Sequence, residues 1–137
     1  MNALQWLINR SNYCGYLVVI SDDKTTKEKL IQQVKNEASN IEVLSEYSLK
    51  KSQDEIRNKL AEHSVLLDKL EEHLKESDSY EQDRALSVYG DLIRYREATC
   101  HHPLIIICNS EIAEYIYAPS MYMGNLNSWA KMRLDLR

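Results

Sequence analysis

The sequence is poor in glycine, proline and cysteine, with 3 glycines, 2 prolines and 3 cysteines in 137 residues. So little glycine and proline excludes a collagen-like chain and disfavours a turn-rich β fold. Three cysteines are an odd number, and their spacing is not that of a disulfide scaffold. We therefore expect reduced thiols, as in cytoplasmic proteins, and we expect Cys108 to be a core residue.

Long apolar runs and a strong excess of one charge are also missing. No apolar run approaches the roughly 20 residues needed to cross a bilayer, and residues 1–10 lack the basic region and cleavage site of a signal peptide. The formal net charge is −4, which does not favour nucleic acid or an anionic membrane as a partner. The composition predicts a cytoplasmic protein with neither of those partners.

The sequence does contain an alternation of strand-like and helix-like segments. Short apolar runs, typical of central strands in a parallel sheet, occupy Tyr16–Ile20, residues 65–67 and residues 103–108. Half-exposed strands are predicted at residues 41–47 and 129–136. Helical spacing of apolar residues occurs at residues 2–10, 24–38, 52–62, 69–75, 82–99 and Ser110–Tyr117. We predict a single α/β domain over residues 1–137, a three-layer sandwich with a mainly parallel sheet of about five strands.

Polar and acidic residues follow the three apolar strands. Asp22 and Asp23 follow the first, Asp68 follows the second, and Asn109 and Ser110 follow the last. Ligands of open α/β sheets bind at the carboxyl ends of the strands. These residues are therefore the candidates for any chemistry the domain performs.

Nucleotide binding is the first chemistry to consider, because Lys24-Thr25-Thr26 resembles the end of a Walker A motif. A P-loop needs glycines so that backbone amides can cradle phosphate, but no glycine lies between Gly15 and Gly90. The Asp22 and Asp23 carboxylates would also repel phosphate. We expect no enzymatic activity, no bound nucleotide and no cofactor.

A phosphoacceptor pocket is an alternative use of Asp22, Asp23 and Asp68, whose positions resemble the layout of a response-regulator receiver. The segment after Asp68 is helical at once, however, and lacks the loop with proline and glycine expected there. The simplest interpretation of Asp22 and Asp23 is an acidic pair at a helix N-terminus, where the helix dipole favours negative charge. The acidic pocket stays open as the alternative.

A metal site is a third possibility, since Cys100, His101, His102 and Cys108 are suitable ligands. A predicted strand separates Cys108 from the others, and no paired Cys-x-x-Cys supports the site. We therefore expect no metal. His63 and His73 are expected on the surface.

Several short motifs together resemble one family. They are Val65-Leu66-Leu67-Asp68, His102-Pro103 with the apolar strand after it, Glu111-Ile112-Ala113, Ala118-Pro119 and Trp129. The chain resembles, over about residues 4–136, the inactive STAND domains, degenerate P-loop relatives of STAND NTPases in bacterial conflict and immunity systems. The resemblance implies a P-loop-NTPase-like sheet without hydrolysis. It also implies a cytoplasmic interaction or assembly module whose protein partner is an effector or sensor of the same system.

Residues 115–129 are rich in aromatic side chains and methionine, which are enriched at binding surfaces. We predict a partner-binding surface formed by Tyr115, Tyr117, Met121, Tyr122, Met123 and Trp129. The alternative is that this segment folds back and covers the edge of the sheet, since edge strands need cover. The two hypotheses differ in whether Tyr122 and Met123 are exposed.

Overall fold

The computed structural model describes residues 2–10, 16–47, 53–75, 102–117 and 132–136. Helices and strands alternate along these residues, as the sequence predicts. The elements are α1 (Ala3–Asn9), β1 (Tyr16–Ile20), α2 (Lys24–Glu37), β2 (Ile41–Leu44), α3 (Gln53–Leu60), β3 (Ser64–Leu67), α4 (Leu70–Lys75), β4 (Leu104–Cys108), α5 (Ser110–Tyr117) and β5 (Met132–Asp135).

The five described strands form one sheet in the order β2-β3-β4-β1-β5, and every neighbouring pair is parallel. The predicted α/β class and strand number are confirmed. The three apolar runs occupy the centre of the sheet, with Val18 of β1 opposite Ile106 of β4 and Leu66 of β3 opposite Ile105. All five residues of β4 are buried, as expected for a strand covered on both faces.

Helices cover both faces of the sheet, which makes the three-layer sandwich. On one face, α1 and α2 pack Leu7 and Val34 against the alternate strand residues Leu17 and Val19. The residues between them, such as Val18, face the other side because strand side chains alternate. There the buried residues of α3, α4 and α5 complete the core, namely Ile56, Leu60, Leu70, Ile112 and Ala113.

Cys108 is fully buried in β4, which confirms its place in the core. The edge strand β5 differs from the central strands because its side chains alternate between half-buried and exposed. Met132 and Leu134 are half-buried, whereas Arg133 and Asp135 are exposed. Within the described residues no helix is long and apolar enough to cross a membrane.

Several element boundaries differ from the sequence prediction by one to three residues. Strand β2 ends at Leu44 instead of residue 47, because Ser45 and Tyr47 hydrogen bond to Asp68. Helix α4 begins at Leu70, and Lys69 before it has a positive φ of 59°. The predicted start of the last strand at residue 129 lies outside the described residues, in which β5 runs from Met132 to Asp135. The predicted helix at residues 82–99 lies outside the described residues.

The chain leaves β1 and β4 in opposite directions. After β1, helix α2 leads to β2 at one edge of the sheet, and after β4 the chain continues through α5 to β5 at the other edge. Neighbouring parallel strands whose connections run in opposite directions form a crevice at their carboxyl ends, where open α/β sheets bind ligands. This crevice is the place to look for a functional site.

Candidate functional site at the carboxyl ends of the strands

The crevice between β1 and β4 is bridged by Asp22, the second residue after β1. One Asp22 carboxylate oxygen accepts a hydrogen bond from the Ser110 backbone N–H at 2.8 Å, and the other accepts one from the Ser110 hydroxyl at 2.5 Å. Ser110 is the first residue of α5. The protein's own carboxylate therefore occupies the N-terminus of α5, where the helix dipole favours a negative charge.

The start of α2 is capped in a similar way by Asp23. Its carboxylate accepts hydrogen bonds from the Thr25 N–H at 3.1 Å and the Thr26 hydroxyl at 2.6 Å. The bond from Thr26, followed by the bond from the Thr25 N–H, lowers the pKa of the Asp23 carboxyl. The predicted acidic cap of α2 is therefore present, but it is formed by Asp23 alone, because the Asp22 carboxylate bonds instead to Ser110 at the start of α5.

Asp68 lies at the end of β3 and is tied to the loop after β2. Its carboxylate accepts a hydrogen bond from the Ser45 hydroxyl at 3.1 Å, and its backbone carbonyl accepts one from the Tyr47 hydroxyl at 2.9 Å. The His73 ring stacks on Tyr47 with centroids 4.1 Å apart, and its Nε2 donates to the Ser45 carbonyl at 3.0 Å. A carbonyl oxygen only accepts, so Nε2 carries the proton.

Both histidines expected on the surface are half-buried and bonded, which corrects the sequence prediction. His73 is bonded to the Ser45 carbonyl, and the Nε2 of His63 lies 3.2 Å from a Glu42 carboxylate oxygen. The partner of His63 lies in β2 and the partner of His73 lies directly after β2, so both are distant in sequence from the histidine they contact. Apolar periodicity carries no information about such contacts, because it reports only which face of an element is buried.

Glu71, in the first turn of α4, is a site residue that the sequence analysis missed. Its Oε1 accepts hydrogen bonds from the Asn109 backbone N–H at 2.8 Å and from the Lys27 ammonium at 3.2 Å. The Glu71 and Lys27 side chains are only 14% and 22% exposed. In the sequence, Glu71 has the appearance of an ordinary acidic residue at a helix start, so no signal distinguished it.

The three carboxylates of the predicted acidic pocket are held by different partners. Asp22 is bonded to Ser110, Asp23 to the first turn of α2, and Asp68 to Ser45. In the part of the chain that the structure describes, no three His, Cys, Asp or Glu side chains are grouped so that they could hold a metal ion. Of the residues considered as metal ligands, Cys100 and His101 lie outside the described residues.

The strand order bears on the receiver-like alternative. Flavodoxin-like folds, which include receivers, have the order 2-1-3-4-5, with β1 between β2 and β3. In this protein β1 lies between β4 and β5. The topology therefore gives the receiver-like alternative no support.

A cavity of about 500 Å³ opens beside these residues. It lies between α2 and the segments that follow β2, β3 and β4, and Ser45, Asp68, Glu71 and Asn109 contribute to its lining. Its volume falls within the range of about 300 to 1,000 Å³ typical of small-molecule sites.

The predicted partner-binding surface falls mainly outside the described residues. Met121, Tyr122, Met123 and Trp129 lie outside them, and Tyr115 and Tyr117 are in α5. The partner-binding surface stays a prediction, as does the alternative that the segment covers the edge of the sheet.

Two comparisons of the sequence with known proteins found no match. No protein-family model matches the chain, and no curated protein matches its sequence.

Proposed function

We propose that the chain is a non-catalytic protein-interaction or assembly module of a bacterial defence or signalling system, built on a degenerate nucleotide-binding fold. The observation that carries the proposal is at the crevice between β1 and β4. Helix α2 follows β1 and helix α5 follows β4. The N-terminus of α2 is capped by the Asp23 carboxylate, and the N-terminus of α5 is capped by the Asp22 carboxylate.

Phosphate groups bind at helix N-termini because backbone N–H groups and the positive end of the dipole are available to them. Here the Thr25 N–H donates to Asp23 and the Ser110 N–H donates to Asp22. A phosphate would have to displace a bonded carboxylate and approach a second negative charge. The arrangement favours a domain that neither binds nor hydrolyses nucleotides.

The interaction role is supported by the composition of residues 115–129, where Tyr and Met are concentrated. The bacterial defence setting comes from the resemblance to inactive STAND domains. In this proposal the partner is a protein, an effector or sensor of the same system, and neither nucleic acid nor a membrane takes part.

Isothermal titration calorimetry with MgATP and MgGTP tests the non-catalytic part. We expect no binding in the micromolar range and no hydrolysis, because the carboxylates of Asp22 and Asp23 take the positions of the phosphates. The variant Asp22→Asn/Asp23→Asn, which removes both charges, shows whether charge alone prevents binding. Micromolar binding by the natural sequence would overturn this part of the proposal.

Co-purification with the products of neighbouring genes tests the interaction part. We expect Tyr122→Ala/Met123→Ala to abolish co-purification while leaving the melting temperature nearly unchanged, because the proposal places both side chains at the surface. The exposed residue Glu111 on α5 provides a control variant, Glu111→Ala. A large loss of stability in the double variant would instead assign the segment to the core.

Labelling with a small-molecule phosphodonor tests the phosphoacceptor alternative. We expect no stable label on the natural sequence. A label that Asp68→Asn abolishes, while Asp54→Asn on the exposed start of α3 retains it, would replace the proposed role by that of a phosphoacceptor switch.

A further inference from the structure

The cavity lies at the carboxyl ends of β2, β3 and β4, on the face of the sheet that α2 covers. Strand pairing places Ser45, Asp68 and Ile107 side by side, one position beyond the last paired residues of β2 and β3. All three line the cavity, and Ile31 of α2 lines it as well. Both isoleucines are buried. The lining therefore combines apolar surface with a neighbouring carboxylate.

Asp68 is fixed in this row by three hydrogen bonds. Its backbone N–H donates to the Leu44 carbonyl at 2.9 Å, and its carbonyl accepts from the Tyr47 hydroxyl at 2.9 Å. Its Oδ2 accepts from the Ser45 hydroxyl at 3.1 Å. Its other carboxylate oxygen, Oδ1, accepts no hydrogen bond from the residues that the structure describes. The carboxylate is thus held in place with one oxygen left for a ligand, which reduces the cost of binding.

The total charge of the lining selects no ligand, because four lysines stand against four carboxylates. What matters is which charges are paired and which are withdrawn from water. Lys27 and Glu71 form an ion pair at 3.2 Å, with side chains only 22% and 14% exposed. Lys24 and Glu28 lie 3.9 Å apart at the surface. These two pairs leave four charged groups without a partner of opposite charge in the described part of the chain.

Three of those four groups belong to exposed residues, namely Lys35, Lys69 and Glu72. Water and salt screen such charges effectively. The fourth is Asp68, which is half-buried and forms no ion pair with any described residue. A charge that is partly withdrawn from water without a counter-ion costs free energy, which a bound cation would offset.

We propose that this cavity binds a small organic cation, a primary amine on a compact apolar body. The ammonium group donates to Asp68 Oδ1, and the apolar body packs against Ile31 and Ile107. A hydrogen bond between an ammonium group and a carboxylate is charge-assisted, and it is stronger where water is partly excluded. The inference goes beyond the proposed function and does not rest on it, because neither Asp22 nor Asp23 lines the cavity.

Three probes of similar shape and different charge test the proposal, namely cyclohexylmethylamine, cyclohexylmethanol and cyclohexanecarboxylate. Each is titrated into the full chain at about pH 7, where the amine is protonated. We expect saturable binding of the amine with amide chemical-shift changes at Asp68 and Ile107. The alcohol should bind at least about tenfold more weakly, because it lacks the charge. No saturable binding of the amine, or binding no tighter than that of the alcohol or the carboxylate, would overturn the proposal.

A matched pair of variants separates Asp68 from general charge effects. Asp68→Asn keeps an oxygen for the Ser45 hydroxyl but removes the charge, so amine binding should weaken by about tenfold or more. Glu72→Gln also removes one negative charge from the lining, at an exposed residue, and should bind the amine within about twofold of the natural sequence. An equal loss in both variants would contradict the proposal. The comparison of amine with alcohol uses the natural sequence alone, so it holds whatever the stability of Asp68→Asn.

Discussion

Asp22 and Ser110 are joined by two hydrogen bonds although they lie 88 residues apart in the sequence. Both carboxylate oxygens are used, one by the backbone N–H and one by the hydroxyl. The contact links the segment after β1 to the first turn of α5. It therefore closes the crevice between the two neighbouring strands and stabilises the start of the helix at the same point.

A double-mutant cycle measures this contact. Asp22→Ala should lower the free energy of unfolding by about 1 kcal/mol, as for loss of a helix cap. Ser110→Ala should cost less, because its backbone N–H still donates to Asp22. The double variant should be about as stable as Asp22→Ala alone. Urea denaturation of the four proteins gives the coupling, and strict additivity would show that the two side chains do not interact.

Glu71 should matter more for stability than its exposed neighbour Glu72. Glu71→Ala removes the acceptor of both Lys27 and the Asn109 N–H in a mostly buried position, so we expect a loss of about 2 kcal/mol. Glu71→Gln keeps a neutral acceptor and should lose less. Glu72→Ala serves as the control and should stay within about 0.5 kcal/mol of the natural sequence. Equal effects of the two alanine variants in urea denaturation would contradict the assignment.

The Glu42 carboxylate makes stability depend on pH. It lies 2.8 Å from the Lys59 ammonium and 3.2 Å from His63 Nε2. The hydrogen bond from Lys59 is the largest cause that lowers the pKa of Glu42. A carboxyl whose pKa is lowered by folding stabilises the protein above its unfolded-state pKa, and this contribution is lost as the pH falls through the folded-state pKa.

The comparison of Glu42→Gln with the natural sequence at about pH 7 and about pH 4 tests this dependence. We expect the variant to be less stable at the higher pH and the difference to shrink at the lower pH. The effect should be about 1 kcal/mol or less, because the side chain is 34% exposed. Glu37→Gln, at the exposed end of α2, controls for the loss of one negative charge. A difference that does not change with pH would contradict the prediction.

Ser64 is a residue whose replacement should stabilise the protein. It begins β3, is fully buried, and its hydroxyl has no hydrogen-bond partner among the described residues. A buried unsatisfied hydroxyl is costly, so Ser64→Ala should raise the free energy of unfolding by about 1 kcal/mol.

The matched control for Ser64 is Ser45→Ala, since the Ser45 hydroxyl donates to Asp68. That variant should lower the free energy of unfolding by about 1 kcal/mol. The two serine-to-alanine changes should therefore shift the melting temperature in opposite directions. A decrease for Ser64→Ala would show that its hydroxyl makes a stabilising contact.

The order of elements could be predicted because each follows from local patterns. The run Leu-Ile-Ile-Ile-Cys at β4 is apolar at every position, which predicts a strand buried on both faces, and α2 shows helical periodicity between polar residues. The end of β2 was predicted less well. Tyr47 continues the apolar alternation in sequence, but the hydrogen bonds of Ser45 and Tyr47 to Asp68 hold this segment at the end of β3 and outside the β2 ladder.

The sequence predicted that the candidate acidic residues lie at strand ends, but it did not predict which residues they bond to. The sequence placed Asp22, Asp23 and Asp68 at the carboxyl ends of strands, because the residue after an apolar run is at a strand end wherever the strand lies. It did not indicate that Glu71 would bond to Lys27 and Asn109. Those partners are 44 and 38 residues away, and no periodic pattern connects them.

The sequence by itself determined which segments are strands and helices and which acids stand at strand ends, since both depend on neighbouring residues. Only the tertiary structure decided the strand order β2-β3-β4-β1-β5, and with it the partners of those acids. Because β4 pairs with β1, Ser110 comes within reach of Asp22, and because α2 crosses toward β2, Lys27 meets Glu71. Such contacts arise from the packing of elements distant in sequence, which local propensity and periodicity do not encode.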